Sequence, residues 1–159
     1  MIIYVFSDSH GYANNMLEAI KNEQPDMIIH LGDGTSDLAV VAMQYPDLPV
    51  ECVRGNCDRF STALMELNTT IEGKRFYAVH GHMFDVKRDP EIRRLKMAAM
   101  ENDADIVLFG HTHMPYKDRS WAMEILNPGS CGEISMPTYG IITIANNAIK
   151  TEIRAIPEG

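Results

Sequence analysis

A chain of 159 residues, 45% of them hydrophobic, has the size of one ordinary domain and can build one substantial core. Twenty-two acidic residues against fourteen basic give a formal net charge of -8, which excludes a surface built for stable nucleic-acid binding by counterion release and suits a cytoplasmic protein. Three cysteines without a Cys-x-x-Cys pair point to a reduced compartment, and with neither a signal-peptide pattern nor a run near the ~18 apolar residues of a membrane span, no export or membrane partner is expected.

In chain order, Ile2 to Phe6 is an apolar run that predicts a strand, followed by a polar loop through Gly11 and a helix whose face carries Met16, Leu17 and Ile20 before Pro25. The unit repeats as a strand from Met27 to Leu31, a loop from Gly32 to Thr35, and a helix with Leu38, Val41 and Tyr45 ended by Pro46; Val50 to Val53 is a third strand. Such units imply parallel neighbours with right-handed crossovers, so their loops gather at the carboxyl edge of a sheet, where ligand sites of open sheets lie. After Asp58 the pattern turns to strands at Leu64 to Asn68, Thr69 to Glu72 and Arg75 to Val79, the last pair joined by a Gly73-Lys74 turn. Asp89-Pro90-Glu91 predicts a capped helix start with Pro at the first helical position, and Ile92, Leu95 and Ala99 form the apolar face of a helix ending near Asn102. Ile106 to Phe109 is a strand, and the remainder predicts short antiparallel strands at Tyr116 to Asp118, Ala122 to Leu126, Tyr139 to Ala145 and Ala148 to Ile156, with Asn146-Asn147 as a hairpin turn. No repeat or linker marks a boundary, so residues 1–159 are expected to form one domain of two face-to-face sheets with helices outside.

Five of the strand ends place Asp, Asn or His beside Gly: Asp8-Ser9-His10, Gly32-Asp33, Gly55-Asn56-Cys57-Asp58, His80-Gly81-His82 and Gly110-His111-Thr112-His113. Carboxylate oxygen and imidazole nitrogen suit hard or borderline divalent cations. Asp8 and His10 stand one residue apart, so in an extended loop both can face one ion, and His111 and His113 repeat the spacing. With the two oxygens of Asp33 divided between ions, a pair of metals would stand about 3.5–4 Å apart, and Asn56 and His80 would complete the second set. His30, inside an apolar strand, is read as a satisfied buried histidine. Asp37 and Asp58 are read as acids that organise loops.

The ordered set resembles the calcineurin-like metallophosphoesterases, and within them the small single-domain bacterial and archaeal phosphodiesterases; Asn127-Pro128-Gly129-Ser130 completes the resemblance near its end. It implies an α/β fold, a four-layer αββα sandwich of two mixed sheets flanked by helices. It implies a first metal on Asp8, His10, Asp33 and His113 and a second on Asp33, Asn56, His80 and His111, with Mn²⁺ the usual activator and Zn²⁺, Fe²⁺, Ni²⁺ or Co²⁺ compatible. The implied reaction is phosphodiester hydrolysis by in-line attack of a metal-bridging hydroxide on a small substrate, with Asp33, Asn56 and His111 nearest the chemistry and His82, Asp58 and Cys57 behind the ligands. Larger phosphomonoesterases of the superfamily carry His where Cys57 stands. A thiol is a poorer proton donor in a cationic site, so substrates with good leaving groups are expected.

Two rival readings differ in kind. A metal-binding scaffold on the same fold, like the scaffold subunit of the eukaryotic retromer coat, would have no need of the full ligand set. A metallo-β-lactamase-like hydrolase would carry a His-x-His-x-Asp-His run, which is absent. The loops from Met83 to Arg88 and from Met114 to Lys117 are where specificity would reside, and the edge strands of the C-terminal half could pair in a homo-oligomer.

Overall fold

The computed structural model describes residues 1–157. Its first sheet is built from β1 (Ile2–Phe6), β2 (Met27–His30), β3 (Val50–Cys52), β9 (Thr138–Ala145) and β10 (Ala148–Ala155), in the order β10-β9-β1-β2-β3. Helices α1 (Ala13–Asn22) and α2 (Leu38–Gln44) make the crossovers that the sequence predicts, and β1, β2 and β3 run parallel. The second sheet contains β4 (Glu66–Ile71), β5 (Lys74–Val79), β6 (Ile106–Leu108), β7 (Tyr116–Ser120) and β8 (Met123–Asn127), ordered β4-β5-β6-β8-β7, with α3 (Arg93–Glu101) between β5 and β6.

Strand alternation explains the layers. On β1, Ile3 and Val5 turn to the interior between the sheets with Ile29, Phe76, Leu108 and Ile142, while Tyr4 and Phe6 turn outward onto Met16 and Ile20 of α1 and Val41 of α2. On β6, Ile106 and Leu108 face the same interior, and Val107 packs with Leu95 and Ala99 of α3 on the far face. Both faces of the central strands are thus covered, and each fully buried aliphatic or aromatic side chain contributes roughly 1.5–3 kcal/mol. The result is the expected α/β arrangement of two mixed five-stranded sheets between helices.

Two expectations are corrected. Glu66–Ile71 is one strand in continuous antiparallel register with β5, where the sequence suggested two; Leu64 only makes an isolated bridge to Val53. The second sheet is mixed, as the resemblance implies: β5, β6 and β8 are parallel neighbours, and α3 carries the chain across between the first two. Finally, α3 starts at Arg93, not at Pro90. Ile92 has φ +45°, outside the right-handed helix, and the Asp89 carboxylate caps the turn ahead of it by accepting the N–H groups of Glu91 and Arg93.

Candidate metal centre

The carboxyl ends of β1, β2, β5 and β6 meet at one rim, and their loops are tied together by the backbone. Asp8 N–H donates to Gly32 O at 2.9 Å and His10 N–H to Asp33 O at 3.1 Å, while Gly110 N–H donates to His80 O at 2.9 Å. Asp8 and His10 do not converge through an extended loop, as their spacing suggested. Asp8, His10, Asp33, His111 and His113 all have left-handed backbone, with φ between 44° and 68°. Residues other than glycine held there cost of order 1 kcal/mol each, and such strain persists where the surroundings over-determine it, as they do at ligand sites.

Two groups of donors result. Asp8, His10 and His113 bring one ligand atom each within 4.8 Å of one another, as do Asp33, His80 and His111. Asp8 Oδ2 accepts the Ser7 hydroxyl at 2.6 Å and the His111 N–H at 3.0 Å. Its Oδ1 is buried without a hydrogen-bond partner among the described residues, 3.3 Å from His113 Nε2 and 3.7 Å from His10 Nε2. Asp33 Oδ1 accepts the Cys57 N–H at 2.8 Å, so the oxygens of Asp33 are not shared out one to each group; Oδ2 alone faces both, 3.3 Å from His80 Nε2 and 3.9 Å from His10 Nε2. Burial works to raise the Asp33 pKa, but hydrogen bonds from His80 and Cys57 outweigh it and keep the carboxyl ionised well below the usual carboxylate range.

The imidazoles are turned by their other nitrogens. His80 Nδ1–H donates to Leu31 O at 2.8 Å and His113 Nδ1–H to Glu133 Oε1 at 3.0 Å, which turns each Nε2 toward the carboxylates; burial works to lower the His80 pKa, but the hydrogen bond to Asp33 and the charge of Asp8 raise it. His80 is therefore oriented by Leu31, and not by His82, whose Nδ1 is buried without a partner and whose ring centroid lies 5.4 Å from that of His80. His111 Nδ1 stands 3.2 Å from His80 Nε2. Burial, with His80 beside it, pushes His111 down to about 4, and burial also lowers His82. Asn56 is exposed on the neighbouring loop with its Nδ2 3.5 Å from Cys57 Sγ, and Cys57 joins His10 and Asp33 in a third cluster. Burial and the nearby Asp33 raise the Cys57 thiol above its ordinary value.

The supporting residues do what their types suggest. Asp58 accepts N–H groups from Asp33, Gly34, Thr35 and Gly55 at 2.7–3.1 Å and so fixes two ligand loops at once. His30 is neutral: burial lowers it to about 4, Gly32 N–H donates to its Nδ1, and its Nε2–H meets Ser9 Oγ, which donates to Asp37. Asn127 donates to Gly110 O and Thr112 Oγ1, and Ser130 donates to Asp8 O, so the Asn-Pro-Gly-Ser stretch braces the loops of His111 and Asp8. Glu133 was not singled out from the sequence, and a lone Glu in a loop carries no local signal that it would meet His113.

A buried carboxylate oxygen without a partner beside imidazole lone pairs is a donor set that a divalent cation fits. The model for the calcineurin-like phosphoesterase superfamily domain matches residues 1–147. The chain belongs to the calcineurin-like phosphoesterase superfamily. A probable metallophosphoesterase of Methanothermobacter thermautotrophicus is 32% identical over 96% of this chain and 91% of its own length, and a phosphodiesterase of Methanocaldococcus jannaschii is 27% identical over 89% and 92%. Among solved structures, a predicted phosphoesterase of Streptococcus pneumoniae superposes with a TM-score of 0.78 at 28% identity, covering 97% of this chain and 88% of that one. Zinc-bound Vps29 of Entamoeba histolytica reaches 0.75 at 18% identity, over 99% of this chain and 100% of its own, a likeness of fold alone. In this calcineurin-like chain Asp8, His10, Asp33, His80, His111 and His113 fall into clusters that could hold a metal ion, and Asn56 stands exposed on the adjoining loop.

Proposed function

We propose that the chain is a phosphodiesterase that works with two divalent cations, activated by Mn²⁺, on a small phosphodiester in the cytoplasm. The observation that carries this reading is the pair of inward carboxylates, Asp8 and Asp33, facing four imidazoles, with Asp8 Oδ1 buried and unpartnered. Asp8, His10, Asp33 and His113 would hold one cation; Asp33, Asn56, His80 and His111 would hold the other. Bound there, the cations supply charge that polarises the phosphoryl oxygens and lowers the pKa of the attacking water.

The chain's own groups set the rest. Two carboxylates give the cluster its negative charge, and the imidazoles would each offer a bound cation a nitrogen lone pair without adding charge of their own once coordinated. Asn56 and His111 would sit nearest the phosphate. Water gives up a proton to solvent as its oxygen bonds to phosphorus in line and the bond to the leaving alkoxide breaks; the alkoxide departs with the electron pair and takes its proton from solvent. No strong acid stands by to protonate it: the Cys57 thiol is raised by burial and by Asp33, and His82 is lowered by burial. Activated diesters such as bis-p-nitrophenyl phosphate are therefore expected to react fastest.

The test is removal of metal by chelation followed by titration with Mn²⁺, reading metal per chain and diester hydrolysis together. About two equivalents and restored hydrolysis are expected. A chain that binds the metal and hydrolyses no diester would instead be a scaffold.

Gly110 offers a check on the cage itself. A Cβ at this position would overlap Ser7 Oγ and come within 2.9 Å of Asp8 Oδ2. Gly110→Ala is expected to weaken Mn²⁺ binding about 10–100-fold, as losses around metal ligands do. Titration calorimetry measures it, and an unchanged affinity would mean that Asp8 tolerates displacement.

A further inference from the structure

The two loops whose residues form no pattern in the sequence come together in the fold. Val86 and Ile92, with Phe109 from the end of β6, make an apolar floor; Met114 and Tyr116 make the facing wall of a groove of about 510 Å³. The floor is buried, with Val86 and Ile92 each 4% exposed and Phe109 2%, whereas Met114 is 71% exposed at the rim. Phe109 and Thr112 flank Gly110-His111 in the chain and Met114 follows His113, so the groove is lined by residues that alternate with two candidate metal residues along one loop. Lys87 also lines it and is near enough for its charge to act on His111. A second cleft, of about 540 Å³, adjoins the other edge of the centre at Cys57 and Asp58 and is lined by Ser36, Ser61, Thr62 and Arg59.

From these unlike neighbours we infer that the substrate is a phosphodiester with one apolar alcohol arm, alkyl or aryl, which lies in the groove between Val86 and Met114 while the phosphate meets the metal centre. The inference rests on the phosphodiesterase reading. Two features of the groove select this occupant. The groove's lining shares a loop with His111 and His113, and it holds Lys87, whose charge reaches His111, beside a largely apolar surface in a strongly acidic chain. A protein segment seated there would cover the approach to His111 and His113, whereas one arm of a diester would reach them.

The experiment compares methyl p-nitrophenyl phosphate with hexyl p-nitrophenyl phosphate on the Mn²⁺-loaded protein. The leaving group is the same, so the ratio of kcat/KM reports the second arm alone. A ratio of about thirty in favour of the hexyl ester is expected, which is what burial of two or three of its five additional methylenes gives. In Met114→Asp the ratio is expected to fall to about three or less, and Pro90→Asp, a change at a residue of the groove remote from His113 in the chain, is expected to lower it as well. Equal turnover of the two esters by the unmodified protein, or an undiminished ratio in both variants, would overturn the groove's role. Failure to hydrolyse either ester would overturn the phosphodiesterase reading beneath it.

Discussion

Asp33→Asn is expected to lower phosphodiester hydrolysis about a thousandfold and to reduce bound Mn²⁺ from about two equivalents to one or none. The substitution keeps shape and keeps an oxygen for the Cys57 N–H, which Asp33 Oδ1 accepts at 2.8 Å. It then places an NH₂ where Oδ2 now faces His80 at 3.3 Å and His10 at 3.9 Å, so a donor replaces the one oxygen of this residue that reaches both groups. The carboxyl is ionised throughout the neutral range because the His80 and Cys57 hydrogen bonds outweigh burial, and the amide therefore removes a full negative charge. Loss of several kcal/mol of transition-state charge stabilisation corresponds to about three decades in rate. Metal content and kcat are to be read on one preparation, with thermal unfolding as the control for folding. Full metal content and an unchanged kcat would remove Asp33 from the centre and with it the proposed arrangement of ligands.

Much of this arrangement is legible in the sequence wherever a local pattern carries it. The runs that become β1 and β2 are apolar and bounded by Gly, Asp or Ser, and the faces of α1 and α2 have helical spacing, so the parallel half of the first sheet follows from periodicity. The second sheet is harder: the strand-helix-strand order of β5, α3 and β6 shows in the spacing, but the start of α3 behind a left-handed Ile92 does not, nor does the parallel pairing of the three-residue β6 with β8, which follows it after β7. The same division holds in the site. Asp, His and Asn beside Gly mark the ligand loops, but the left-handed backbone at five of those residues depends on tertiary ties such as Asp8 N–H to Gly32 O and His111 N–H to Asp8 Oδ2. His80 turning to Leu31 O, and His113 to Glu133, are contacts over 49 and 20 residues that no window along the chain contains.

Asp58→Asn is expected to cost about 3 kcal/mol of stability near neutral pH and to lower the unfolding midpoint by about 9 °C. Four N–H groups from two loops converge on this one carboxylate, and hydrogen bonds to a charged acceptor contribute roughly 1.5–3 kcal/mol each. Simple addition would overshoot, since the bonds are only partly buried, water replaces some of them, and the amide oxygen still accepts one or two. The pH dependence carries the sign. Burial would raise the Asp58 pKa, but the backbone donors, led by Gly55 and Gly34, outweigh it and hold it below its ordinary value. A depressed native pKa gives stability that is complete above the unfolded carboxylate value of about 3.9 and is lost as pH falls through the native value. The gap between wild type and Asp58→Asn should accordingly be widest near neutrality and close below about pH 4 in thermal unfolding series. A gap that stays constant with pH would assign the loss to shape instead of charge. Because the same carboxylate holds the Asp33 and Gly55 N–H groups, the variant should also bind Mn²⁺ about 10–100-fold more weakly at neutral pH, which a merely destabilised but correctly folded centre would not do.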